Sequence, residues 1–215
     1  MSTDTTRTGT TDADAFRSIP PTTLADILGR AQVMDIGIRP LWPSKRIAGP
    51  AFTVRCPAGD NLMVHAAIHR APQGSVIVVE AGDVDYAVAG GNVCAVAKRR
   101  GIAGFVVDGV IRDLGEVRAM GFPVFARGVI PIPGDKAAVL PLNGPVRCGG
   151  VTVEPGDIVV ADEEGVVVVP YARSEQVRRD ARTRLAKESS ESLDSWEQAH
   201  RARINAILAA GGFEG

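Results

Sequence analysis

The chain has 215 residues, 45% of them hydrophobic, with 24 basic and 25 acidic side chains and a net charge of −1. That length suits one generous domain with a real core, and the balanced charge leaves no electrostatic footprint for nucleic acid. No apolar run approaches a membrane span, and the three cysteines, Cys56, Cys94 and Cys148, form no CxxC pair, so they read as reduced, packed thiols of a cytoplasmic protein.

Residues 1–16 are rich in Thr and Asp and lack the apolar stretch of a signal peptide, so a disordered N-terminal tail is expected. Ile19-Pro20-Pro21-Thr22-Thr23 reads as a helix entry, with Thr22 or Thr23 as cap and the helix running through Leu24 to Leu28. Arg46 to Arg55 alternates as a strand. Asn61 to Arg70 reads as a helix capped by Asp60, and Ser75 to Glu80 is a β-branched run typical of a buried strand. A helix over Asn92 to Arg100, a strand over Phe105 to Val107, a helix from Asp113 to Met120 and a strand from Pro123 to Arg127 complete a β-α-β-α-β cadence. That cadence implies a parallel or mixed sheet covered by helices.

After Pro131 the chain breaks into short β-rich pieces, Val146 to Val153, Asp157 to Ala161 and Val166 to Pro170, punctuated by Gly and Pro turns. From Ala172 a long charged helix with thin apolar content is expected, either extending from the body or packing on another subunit. The expected organisation is a tail over 1–16, a main domain over 17–171 and a C-terminal helical extension over 172–215 at a subunit interface.

Four features could carry chemistry. His65 and His69 are spaced to share a helix face, but the Glu of a zinc-protease motif is replaced by Ala66, so a structural role is the better reading. Lys45, Lys98, Lys136 and Lys187 all lie in polar surroundings that would not lower a lysine pKa, so they read as surface lysines rather than Schiff-base nucleophiles. The basic cluster Arg178, Arg179, Arg182 and Arg184 alternates with Glu175, Asp180 and Glu188 as a solvated helix face does. The fourth feature is Arg112-Asp113, at the end of the strand that runs into Asp108-Gly109. Arginine grips carboxylates with a planar fork, and aspartate binds hard cations. On residues alone the pair is equally a surface ion pair or a helix cap. Gly90-Gly91-Asn92, just upstream, lets backbone N–H groups face an anion. Strand-to-helix loops of an open α/β layout converge on one crevice, which would bring the two segments together.

These segments together resemble the RraA-like family. The resemblance is carried by Gly90-Gly91-Asn92, by Gly101-xx-Gly104-xx-Val107-xx-Gly109-xx-Arg112-Asp113, by Gly121-Phe122-Pro123-Val124-Phe125-Ala126-Arg127 and by Pro155-Gly156-Asp157-Ile158-Val159-Val160-Ala161-Asp162. It spans about residues 17 to 190. The family includes class II 4-hydroxy-4-methyl-2-oxoglutarate / 4-carboxy-4-hydroxy-2-oxoadipate aldolases. The resemblance implies an α/β fold, a three-layer β/β/α sandwich like that of swivelling domains, assembled as a trimer or a dimer of trimers. It implies that Arg112 binds the pyruvyl part of the substrate, that Asp113 ligates Mg²⁺ or Mn²⁺, and that Gly90, Gly91, Asn92 and Val93 donate backbone N–H bonds to the substrate carboxylate.

The chain departs from the aldolase pattern at one point: Gly91 stands where those aldolases carry an Asp that helps organise metal-bound water. Glu188 or Glu191 from a neighbouring subunit are candidates to supply the missing carboxylate. The expected function is a metal-dependent carbon–carbon lyase releasing pyruvate from a short 2-oxo acid, by retro-aldol cleavage or oxaloacetate decarboxylation. The rival is a non-catalytic regulator of the RNase E inhibitor type. Methyl transfer, also attached to the family by name, lacks a nucleotide-binding Gly-rich fingerprint here.

Overall fold

A computed structural model describes residues 9–213, with side chains from Ala13 onward. The expectation of a disordered tail falls partly outside these residues, and its second half is corrected. Gly9–Phe16 forms a helix, α1, and its Ala13 and Phe16 are buried. The apolar spacing of Ala13, Phe16 and Ile19 gives this segment a face to pack, which its Thr/Asp composition obscured.

The remaining elements follow the expected order. Helix α2 is Pro21–Leu28, with Pro20 at the cap position, and the short strand β1 is Arg39–Pro40. Next come β2 (Ile47–Cys56), α3 (Leu62–Ala67), β3 (Val76–Ala81) and α4 (Gly91–Arg99). Strand β4 (Gly104–Ile111), α5 (Leu114–Met120) and β5 (Val124–Val129) complete the alternating unit. Strands β6 (Val146–Cys148) and β7 (Val151–Val153) form a separate hairpin, and β8 (Ile158–Asp162) and β9 (Gly165–Val169) form a second one.

Seven strands join in the order β1-β5-β4-β3-β2-β8-β9. Strand β2 is shared. Its Ala51 to Cys56 half pairs parallel with β3, while Ile47 to Pro50 pairs antiparallel with β8. Val33 bridges to Val167 at one edge, and Arg39-Pro40 pairs with β5 at the other. The segment between them therefore nearly closes the sheet.

Side-chain alternation sorts the core into three clusters, as a period of two requires. On the parallel half, Ile77, Val79, Phe105, Val107, Val124 and Ala126 pack outward against α3, α4 and α5. Val76, Val78, Val106 and Phe125 point the other way and meet Val159, Ala161, Val166 and Val168 and the β6–β7 hairpin. The alternate residues of β8 and β9, Ile158, Val160, Val167 and Val169, pack against α1, α2 and α6. Both faces of these strands are buried, which is why they read as continuous β-branched runs. The expected β/β/α layering is present, with an additional helical layer over β8 and β9.

The C-terminal extension is two helices, α6 (Ser174–Ser190) and α7 (Leu193–Ala210), separated at Glu191-Ser192, with the Ser192 hydroxyl capping α7. Helix α6 buries Val177 and Ala181 on the body, whereas α7 buries no residue. No helix of the described residues is long and apolar enough to cross a membrane.

Candidate functional site

Four loops that follow the parallel strands enclose one cavity of about 160 Å³. Asn61 comes from the β2–α3 connection and His65 from α3, Ala87, Ala89 and Gly90 from the β3–α4 connection, and Asn92 and Val93 from the first turn of α4. Arg112 and Asp113 come from the end of β4, and Pro133 and Lys136 from the chain after β5. Crevices beyond the carboxyl ends of parallel strands are where open α/β sheets bind ligands.

Strand β4 does not end at Asp108-Gly109 as the sequence implied. It continues to Ile111 through a register shift between Val107 and Val110. A bulge of this kind re-aims the side chains that follow it. Asp108 is turned to the far layer, where it accepts bonds from Arg127 Nε and from the Gly149 N–H (2.7 Å). Arg127 also reaches Asp35 (3.1 Å), so Asp108 belongs to an inter-layer brace rather than to the cavity.

Beyond the bulge, the Arg112 N–H donates to Ala89 O (2.9 Å) and the Val88 N–H to Val110 O (3.0 Å), which zip the glycine loop to the strand end. Asp113 is then forced into the left-handed region, φ 59° and ψ 38°. Non-glycine residues there carry about 1–3 kcal/mol of strain and cluster at functional sites. The conformation folds the carboxylate back so that Oδ2 accepts the Gly91 N–H at 2.9 Å and stands 3.5 Å from Arg112 Nε. Asp113 Oδ1 accepts no bond among the described residues. The N–H groups of Asn92 and Val93, in the first turn of α4, also have no partner there.

The two glycines are required by close approach. A Cβ on Gly90 would lie 2.5 Å from Asp113 Oδ2 and 3.0 Å from Arg112 Cγ. A Cβ on Gly91 would collide with Glu116 Oε2. The Glu116 carboxylate therefore fills the space that a side chain at position 91 would need, one turn along α5 from Asp113. Sequence reasoning missed Glu116, although its spacing of three from Asp113 places both on one helix face. Glu116 forms no ion pair among the described residues.

The expected substrate loop and the Arg112-Asp113 pair thus lie together. Glu188 and Glu191 do not join them within one chain. They line a separate cleft between α6 and α7, with Trp196 stacked on His200, and Glu188 pairs with Arg184 (2.8 Å). His65 and Lys136, read from sequence as structural and surface residues, both face the cavity, while His69 is exposed. Burial, reinforced by the charges of Lys136, His69 and Arg112, holds the His65 imidazole below its usual pKa, which favours the neutral form.

No group of three or more His, Cys, Asp or Glu converges among the described residues, so these residues form no all-protein metal cage. A free oxygen on Asp113, an unpaired Glu116 and room for water suit Mg²⁺ or Mn²⁺. Magnesium in particular is usually held by one or two carboxylates and keeps several waters. The three thiols are buried, and burial pushes Cys56 up to about 11 and Cys94 up to about 12, which removes them as nucleophiles.

A family model described as "RraA-like: Aldolase/RraA" matches residues 12–168. A Halalkalibacterium halodurans protein named "Putative 4-hydroxy-4-methyl-2-oxoglutarate aldolase" is 42% identical over 176 residues, covering 81% of this chain and 84% of that protein. A Burkholderia multivorans protein of the same name is 36% identical over 141 residues, covering 65% and 85%. Among solved structures, the RNA-processing inhibitor RraA from Thermus thermophilis superposes with a TM-score of 0.64 at 29% identity, covering 70% of this chain and 92% of that one. Streptomyces coelicolor RraAS2, described as an unusual member of the RNase ES inhibitor RraA protein family, superposes at 0.70 with 28% identity, covering 89% and 96%.

Proposed function

Since the chain belongs to the RraA-like family, we propose that its cavity is the active site of a divalent-metal-dependent lyase that releases pyruvate from a short 2-oxo acid. The observation that carries this reading is the convergence of Arg112, Asp113 and the free N–H groups of α4 on one crevice, with Glu116 packed against Gly91 beside it. The relatives named as aldolases support a carbon–carbon lyase.

Each group has a distinct task. The Asn92 and Val93 N–H groups face outward to bind the carboxylate of the pyruvyl unit. Arg112 adds a fixed positive charge beside the keto oxygen, where negative charge grows as the carbon–carbon bond breaks. Asp113, held by the Gly91 N–H, presents its free Oδ1 to a divalent cation, and Glu116 stands at its side to orient water and move a proton. When bound, the cation supplies Lewis acidity to the 2-oxo acid. No covalent lysine is needed. Glu188 and Glu191 of a neighbouring subunit remain part of the proposal as added carboxylates in a homotrimer or dimer of trimers, with the protein working in the cytoplasm.

Steady-state assays of pyruvate release from 4-hydroxy-4-methyl-2-oxoglutarate and from oxaloacetate, with Mg²⁺ or Mn²⁺, test this. Release that depends on metal and collapses in Asp113→Ala is expected. No pyruvate from either substrate, or undiminished release by the variant, would overturn it.

A second reading rests on α7, which exposes Leu193, Trp196 and Ile207 and buries nothing. Such a surface suits a regulator that inhibits an RNA-processing enzyme by contact. Inhibition of a ribonuclease by the full chain, unchanged by Asp113→Ala, would support it.

A further inference from the structure

The balanced net charge, which leaves no footprint for nucleic acid over the whole chain, conceals a local segregation. The covering helices and the turns that end them, residues 62–75, 91–103 and 114–123, carry Arg70, Lys98, Arg99, Arg100 and Arg118 against one acidic residue, Glu116. Glu116 packs against Gly91, the first residue of α4. Lys98 and Arg99 close the same helix and Arg100 caps it, about 12 Å further along its axis at roughly 1.5 Å per residue. Crossover helices between parallel strands bring their C-termini to one edge of the layer, the edge opposite the cavity. Two contacts tie these ends together: Arg100 Nη2 donates to His69 O just past α3 (2.9 Å), and Lys98 Nζ donates to Met120 O at the end of α5.

Helix ends attract cations, which accounts for Arg70, Lys98 and Arg100, each bonded to a carbonyl at or just past a helix end. It does not account for Arg99 and Arg118. Both are exposed, and neither bonds or pairs with a carboxylate among the described residues. No large exposed apolar side chain lies on α3, α4 or α5 among the described residues. A protein partner would therefore find no apolar centre to bury, a membrane no anchor, and the bases of a single strand no ring to stack on. A phosphate backbone needs only charge, and four of the five cations are guanidinium forks that match phosphate. Neighbouring helices stand about 10 Å apart, so the row is roughly 20 Å long, about six base pairs of duplex. We infer that this edge of the helical layer is a sequence-independent binding surface for the phosphate backbone of duplex nucleic acid. It lies at the opposite end of α4 from the cavity and stands apart from the lyase reading.

Fluorescence anisotropy of the full chain with labelled DNA and RNA duplexes of about 20 base pairs, between roughly 50 and 200 mM salt, tests it. Five phosphate contacts give a slope of about −4.5 in log affinity against log salt, about a 500-fold loss over that range. Arg99→Gln combined with Arg118→Gln should reduce the slope to about −2.7 and the loss to about 40-fold, with an unchanged melting temperature because neither side chain bonds within the fold. Arg201→Gln combined with Arg203→Gln on α7 removes the same charge elsewhere and should leave the slope as it was. Both duplexes should bind, since nothing at this edge reads base or sugar. Absence of binding, binding of only one duplex type, or an equal loss in the α7 pair would overturn the inference. Displacement of the duplex by polyglutamate, or capture by phosphatidylserine vesicles in its place, would overturn it in favour of an acidic protein or a membrane.

Discussion

Gly90→Ala isolates the close approach on which the site depends. The backbone at Gly90 is extended, φ −152°, so alanine meets no conformational penalty there and the whole effect is steric. The new methyl would sit 2.5 Å from Asp113 Oδ2 and 3.1 Å from Arg112 Nε. Restoring ordinary contact displaces the Asp113 carboxylate by roughly 1 Å and strips it from the Gly91 N–H. A misplacement of about 1 Å can cost roughly a hundredfold in rate, or ~2.7 kcal/mol of transition-state stabilisation. The displaced groups are side-chain ends about one-third exposed, so stability should fall by only about 1 kcal/mol, the mild end of overpacking. Pyruvate-release kinetics, Mn²⁺ titration and thermal melts of the same preparations provide the assay. A variant with wild-type kcat/KM and metal affinity would refute the claim that Gly90 exists to let Asp113 and Arg112 converge.

Gly115→Ala is the matched control: its Cβ meets nothing within 4 Å inside α5, so it should raise stability by about 0.5–1 kcal/mol without altering turnover, read by denaturant unfolding and kinetics. Glu116→Gln should lower kcat on any 2-oxo acid about a hundredfold with little change in KM, because the neutral amide cannot move the proton. For Asp60, burial pushes the carboxyl up, but bonds from the Ala137, Ala138 and Leu62 N–H groups, with the Lys136 charge, outweigh it and hold the pKa below the usual value. Its stabilisation is therefore present above about pH 4 and is lost as pH falls through the lowered folded pKa. Asp60→Asn should cost about 2–3 kcal/mol near neutrality and flatten the acid limb of a stability–pH curve. The buried thiols should react with a disulfide reagent only on unfolding, when all three become accessible in one step.

The parallel core was legible because its strands are buried on both faces and so appear as unbroken β-branched runs bounded by glycine and proline. Arg112 and Asp113 were legible because a charged pair directly after such a run is rare. The extent of β4 was not, since a bulge at Asp108-Gly109 looks in sequence like a strand end. Helix α1 was hidden by polar composition, its apolar face resting on only a few residues. Glu116 was hidden because its meaning depends on Gly91, twenty-five positions earlier, and only the packing of α4 against α5 brings the two together. Lys136 carries no local motif, and only the folded cavity brings it to the same crevice as Arg112.

The most direct test of the central claim is an anomalous difference map from crystals soaked with Mn²⁺ and oxalate, a mimic of the pyruvate enolate. A single peak within coordination distance of Asp113, with oxalate bound to the metal and to Arg112 and seated on the Asn92 and Val93 N–H groups, is the predicted result. Metal bound elsewhere, or oxalate absent from the cavity while Mn²⁺ is saturating, would contradict it.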